Sequence, residues 1–355
     1  MNTTEERPPA YVSWFDDIGI DDRPDVGGKG ASLGELLRAG FRVPAGFVVR
    51  TSAFERFIDS ITRESPVRAQ VETLDPDDLE GVRACATTLR ARIEQAELPG
   101  DVLEEVSTAH RKLASSARTV AVAVRSSATT EDAKDASFAG LQDTYLWIRD
   151  RADAMRKLKS CWGSLYSVES LSYRRRRGIP EQNVAMAVVV QVMVDARTAG
   201  VMFTRSPVTG DRSVVTLEGA WGLGSAVVGG EVTPDRWVIG KVTGEISVRE
   251  ISDKTIQHLP APGGGIETRA VSEELRRVAC MSDEELQALR TIARAIERHY
   301  GCPQDIEWAL DRASGEILIL QSRPETVWSV KDAAPAARAT ENPLAHLMSV
   351  FGGRR

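Results

Sequence analysis

Arg125 stands where a buried strand gives way to a polar loop, and that junction is well suited to hold phosphate. Ser126, Ser127, Thr129 and Thr130 follow with hydroxyls and backbone donors, and Ser137-Phe138-Ala139-Gly140 is a small-residue turn whose N–H groups can wrap a polyphosphate. Lys29, in Gly27-Gly28-Lys29-Gly30, is placed at a helix N-terminus, where the dipole and free N–H groups favour an anion. The pattern is no Walker A loop, because Arg23 stands where the first glycine should be. A third centre is Asp305-Ile306-Glu307, whose alternation puts two carboxylates on one face of a strand, with Gln321 returning beside them on the paired strand. Hard oxygen ligands short of a full protein cage suit Mg²⁺, which completes its octahedron with phosphate oxygens and water. Each motif also has a plainer use: a Ser/Thr-rich surface loop, a helix cap, an acidic edge hairpin.

The elements that must carry these residues are legible in outline. Val120, Val122 and Val124 alternate with alanine, as in a narrow strand packed on both faces. Leu33, Leu36 and Leu37 give a short helix after Lys29, closed by Gly40. Phe47 to Val49 reads as a strand, and Ser52 with Glu55 has capping-box spacing for the next helix. Asp101 reads as an N-cap, and His110 shares a stripe with Leu103, Val106 and Leu113, the pattern of a packed histidine. One long helix is expected from Ala152 to Arg177, its terminal arginines a solvated face before Gly178. From Val184 the chain turns β-rich, with strands at 184–194, 200–204 and 213–217. Ser282 and Glu285 cap a helix ended by Gly301, and a hairpin through Ala313-Ser314-Gly315 delivers Gln321 and Arg323.

A chain of 355 residues, 42% hydrophobic and 27% charged, has the length for two or three packed lobes. A net charge of −6 argues against a general nucleic-acid binder and requires any anion site to be locally basic. Cys85, Cys161, Cys280 and Cys302 lack C-x-x-C spacing, which fits reduced thiols and no zinc site. The N-terminus carries no secretory pattern, and the longest apolar run, Val184 to Val194, is interrupted by Gln191 and too short to span a bilayer. The expectation is a cytoplasmic protein with no membrane and no nucleic-acid partner.

With these residues in view the chain resembles the ATP-grasp nucleotide-binding domain of the phosphoenolpyruvate synthase, pyruvate phosphate dikinase and rifampicin phosphotransferase group. The motifs are GGKGASLGELLRAGFRVPAGFVV, VAVRSSATTEDAKDASFAGLQDTYL, VQVMV with GVMFTRSPVTGD, WGLGSAVVGGEVTPD, and QDIEWAL with LILQSRPETVW. The resemblance implies an α/β (α+β) fold of two lobes enclosing a nucleotide cleft, expected at residues 11–183 and 184–328, between a flexible lead-in at 1–10 and a linker with a short tail helix at 329–355. It implies that Lys29 and Arg125 hold ATP phosphates, that Ser137, Phe138, Ala139 and Gly140 close over them with Gln142 and Thr144, and that Arg323 contacts phosphate. Gln191, Val192, Met193 and Val194 would border the adenine, Glu218 would join the nucleotide contacts, and Glu307 and Gln321 would bind Mg²⁺. Lys29, Arg125 and Arg323 are thereby the catalytic candidates. Leu141 and Ser225 depart from the group's usual residues, the second standing where a glutamate is common.

In that group a phosphorylatable histidine, often in a T-C-H motif on a swivelling domain, receives the phosphoryl group. His110, His258, His299 and His346 lie in no such motif, so the expectation is a separate subunit carrying the histidine and the acceptor site, as in phenylphosphate synthase-type enzymes. ATP would be cleaved to AMP and a phenol- or cresol-like acceptor phosphorylated. Pyruvate or an antibiotic as acceptor, or a non-catalytic ATP sensor, are the alternatives.

Overall fold

The computed structural model describes residues 10–62, 66–116, 121–129, 143–326 and 328, with backbone alone at 132–133 and 136–137. Two antiparallel sheets organise it. The first runs Val12–Trp14, Gly46–Val49, Met186–Val192, Val122–Ala128, Thr144–Ile148 in spatial order. Gly46–Val49 and Met186–Val192 are apolar at nearly every position because both faces of the sheet are covered there. Helices bring Phe54, Phe57, Leu89, Val106 and Trp162 against one face, and the helix Arg23–Arg38 brings Ala31 and Leu33 against Val48, Ala187 and Val189 on the other. Trp162 stacks on Phe57 at 5.1 Å and donates its indole N–H to Met186 O, which satisfies the polar end of a fully buried ring.

The second sheet runs Ile246–Glu250, Asp235–Gly240, Val214–Trp221, Ala196–Phe203, Gln304–Asp311, Ile317–Pro324. The helix Asp283–Tyr300 covers one face with Leu286, Leu289, Ala293 and Ile296 against Leu217, Trp237 and Trp308. Its start is the expected capping box of Ser282 and Glu285, and its end is Gly301 at φ 69°. The other face carries Glu218, Glu307 and Gln321 in one cross-strand row and looks toward the first sheet. A hairpin, Ile256–Pro260 with Ile266–Ala270, stands outside both sheets.

Several expectations need correction. The switch between lobes falls after Val192 rather than at residue 184, because Met186–Val192 is the central strand of the first sheet, hydrogen-bonded to Gly46–Val49 and Val122–Ala128. The helix expected over 152–177 is two, Arg151–Ser164 and Val168–Arg177, with Ser167 capping the second through Ser170 N. The terminal arginines are no uniform solvated face: Arg174 is fully buried and paired with Glu181 at 2.9 Å, and Arg175 donates to Leu74 O. Ser52 is not a cap, since the helix begins at Thr51 and the Ser52 hydroxyl donates to Ala10 O. The helix Gly100–Ser116 buries Val102 rather than Leu103, a one-residue shift that leaves Leu103 41% exposed, and Asp101 lies inside its first turn. Among the described residues no helix is long and apolar enough to cross a membrane. The expected lead-in, apart from Ala10, and the tail after Trp328 lie outside the described residues.

Candidate functional site

Between the facing sheets lies a cavity of about 940 Å³. The first sheet contributes Arg125, Thr144 and Tyr145, with Gln191 and Val192 at the end of its central strand, and the chain leaving that strand contributes Met193 and Val194. The second sheet adds Glu307, Trp308 and Leu320, so the cavity is polar at the Arg125–Glu307 end and apolar around Met193, Val194 and Leu223.

Arg125 is the central group. It is 8% exposed on a strand buried throughout, and it reaches from the first sheet to the second. Nη1 donates to Leu320 O at 2.9 Å, and Nη2 donates to Glu307 Oε2 at 3.0 Å and to Gln321 Oε1 at 2.6 Å. Its Nε is buried without a hydrogen-bond partner among the described residues. A buried guanidinium N–H without an acceptor carries a desolvation cost.

The helix carrying Lys29 is bent toward this strand. Gly27, at φ 70° and ψ 174°, breaks Arg23–Arg38 into two segments, so Lys29 lies at the start of the second. Ser127 holds the break: its hydroxyl donates to Val26 O and accepts from Gly30 N. A Cβ on Gly27 would sit 2.0 Å from Ser127 O, so glycine is required there for space as well as for φ. Lys29 is half-buried, and its charge is felt by Cys161, whose thiol burial pushes up and Asp143 pushes further.

Glu307 and Gln321 are direct cross-strand partners, as the alternation implied. Glu218 lies in the same row two strands from Glu307, which the spacing of strands makes roughly 10 Å. Burial raises its pKa against the pull of Arg236. Asp305 and Arg323 form the next row, with Arg323 Nε 3.6 Å from Asp305 Oδ2. Burial pushes Asp305 up to about 6, Arg323 opposes this and Glu325 adds to it. Lys29, Glu218, Gln321 and Arg323 are not among the cavity's lining residues; Arg323 is exposed. Phe138, Ala139, Gly140, Gln142 and the Ser137 side chain lie outside the described residues. Gln191 is buried and its amide N–H donates to Pro44 O, which ties that group to the fold.

The donor set at Glu307 and Gln321 fits Mg²⁺ in a limited way. One carboxylate and one amide oxygen, both hard, sit side by side, and among the described residues no group of three His, Cys, Asp or Glu forms a cage. A divalent ion there would depend on ligand oxygens.

Residues that the motifs did not single out complete the wall. Gly263, Gly264 and Gly265, at the tip of the separate hairpin, reach over the cavity; Gly265 N donates to Trp147 O at 3.0 Å and Arg149 donates to Pro262 O at 3.0 Å. Trp147 is a non-glycine residue at φ 58°, a conformation that the surrounding contacts must enforce. The run Pro262-Gly263-Gly264-Gly265 was the available signal in the sequence. Lys157, 4.4 Å from the Tyr145 ring, lines the first-lobe side.

Residues 23–343 match the family described as pyruvate phosphate dikinase, AMP/ATP-binding domain. The chain is 40% identical over 348 residues to a probable phosphoenolpyruvate synthase of Staphylothermus marinus, covering 90% of this chain and 42% of that protein. It is 36% identical over 371 residues to the phosphoenolpyruvate synthase of Pyrococcus furiosus, covering 93% of this chain and 45% of that one. The chain thus spans less than half the length of these relatives. A solved ADP complex of purK, N5-carboxyaminoimidazole ribonucleotide synthetase, aligns with 71% of this chain and 58% of that one at 12% identity and a TM-score of 0.25, too loose a match to build on.

Proposed function

Since the chain belongs to the family of pyruvate phosphate dikinase AMP/ATP-binding domains, we propose that it is the ATP-binding part of a dikinase-type phosphotransferase, with ATP in the cavity between the sheets. The observation that carries this reading is Arg125, which lines the cavity and bonds Glu307 and Gln321 across the cleft.

In this reading the adenine lies along Met193, Val194 and Leu223 and the phosphates lie toward Arg125; Lys29 and Arg323, outside the cavity's lining, would be further positive groups for the phosphates. Phosphoryl transfer asks a protein for positioning and charge neutralisation more than for covalent chemistry, and these cations are suited to that. Glu307 and Gln321 would hold Mg²⁺, which when bound neutralises phosphate charge. Arg125 and the row beside it orient the polyphosphate, and the second sheet limits water at the transferring group. The β,γ-diphosphate would pass to a histidine supplied by a partner subunit, releasing AMP; loss of phosphate would leave phosphohistidine, which phosphorylates the final acceptor. Pyruvate is supported as acceptor at least as well as the phenol or cresol that the motif layout favours, since the relatives are named phosphoenolpyruvate synthases.

Calorimetric titration of the full chain with ATP and Mg²⁺ tests the reading. Saturable binding that Arg125→Ala weakens supports it; no binding, or binding indifferent to Arg125, overturns it.

A further inference from the structure

Ser225 lines the cavity at the apolar end, two residues beyond Leu223, and is half-buried. Behind it stands His258, 4% exposed in the middle of a strand of the separate hairpin, with Nδ1 2.8 Å from Ser225 Oγ. On the far side of the ring, Glu231 Oε2 lies 3.4 Å from His258 Nε2. The backbone fixes this arrangement: Leu223 N donates to His258 O, and Gly222, at φ 78°, bridges His258 so closely that a Cβ would meet His258 O at 2.4 Å.

We propose that His258 is a positioning residue that sets the direction of the Ser225 hydroxyl and so makes Ser225 a selector for a hydrogen-bond donor on the nucleoside half of the ligand. In the neutral ring the Glu231 carboxylate favours the proton on Nε2, which leaves Nδ1 an acceptor. The Ser225 O–H then donates to Nδ1, and its oxygen offers the cavity lone pairs only. A ligand group meeting it must bring an O–H or N–H. Its place next to Leu223, which packs with Met193 and Val194, assigns that group to the sugar or base rather than to the phosphates. This deepens the nucleotide reading and rests on it.

The test is calorimetric titration of the full chain with ATP, 2′-deoxy-ATP, 3′-deoxy-ATP and inosine triphosphate, which separate the sugar hydroxyls from the exocyclic amine. The wild type should bind one analogue about three- to tenfold more weakly than ATP, the worth of one hydrogen bond. Ser225→Ala and His258→Leu should each abolish that preference, and His258→Asn, whose amide oxygen falls near the Nδ1 position, should restore most of it. Ser225→Ala changes a half-buried side chain by one atom, so it keeps the test decisive if His258→Leu folds poorly. ATP binding without discrimination among the analogues, or a preference untouched by Ser225→Ala, overturns the proposal while leaving the nucleotide reading standing. Absence of ATP binding overturns both.

Discussion

Arg125 and Glu307, 182 positions apart in the chain and on different sheets, meet at 3.0 Å. Each is held by its own strand, so their meeting fixes how the two sheets face one another and where charge sits in the cleft between them.

Arg125→Ala is expected to lower ATP-dependent turnover about 10²-fold or more, as removal of a preorganised charged donor does. Arg125→Lys should recover only part, because an ammonium cannot reproduce the planar fork. The fold should survive with a modestly lower melting temperature, since Gln321 Oε1 loses a buried partner while Glu307, 31% exposed, can hydrate. Steady-state rates and thermal melts of both variants check this.

Glu307→Gln keeps an acceptor for Arg125 and removes the anionic oxygen. The Mg²⁺ concentration needed for half-maximal ATP-dependent activity should rise about tenfold or more. An unchanged Mg²⁺ titration would remove Glu307 from the ligand set.

The hairpin that presents Glu307 to Gln321 was legible because strand alternation and a Ser-Gly turn are local signals. Local pattern placed Lys29 at a helix N-terminus, but not the break at Gly27 inside a longer helix, where Ser127, a hundred residues on, leaves no room for a side chain. Three features were out of reach for a common cause. Val184 to Val194 reads as a strand whichever sheet it joins, and only its pairing with Val122–Ala128 decides. Arg174 looks like its exposed neighbours until Glu181 folds back onto it beyond Gly178. Ser225 lies in a recognisable motif, but His258, which reaches it through an isolated bridge at Gly222, lies in none.

Gly27→Ala is expected to destabilise the protein by more than about 2 kcal/mol, combining a left-handed backbone with a clash against Ser127. Gly40→Ala, at φ 83° with open space around it, should show only the backbone part, about 1 kcal/mol. Urea unfolding of the two variants separates the contributions.

His110 is buried with Nε2 lacking a partner among the described residues, and burial, with Arg151 adding and Asp150 opposing, holds its pKa below the ordinary 6.5. The unfolded chain therefore takes up a proton before the folded one does as pH falls. The contribution is complete above pH 6.5 and declines as pH drops from there through the lower folded value. His110→Leu should flatten that part of the stability profile, read as melting temperature between pH 7.5 and 5, roughly the range in which histidine titrates.

The central claim is that ATP held between the sheets gives up its β,γ-diphosphate as a unit. The direct measurement is the nucleotide product formed from α-labelled ATP by the full chain with a polypeptide that supplies the phosphorylatable histidine. The account predicts labelled AMP, lost in Arg125→Ala; labelled ADP as the product would contradict it.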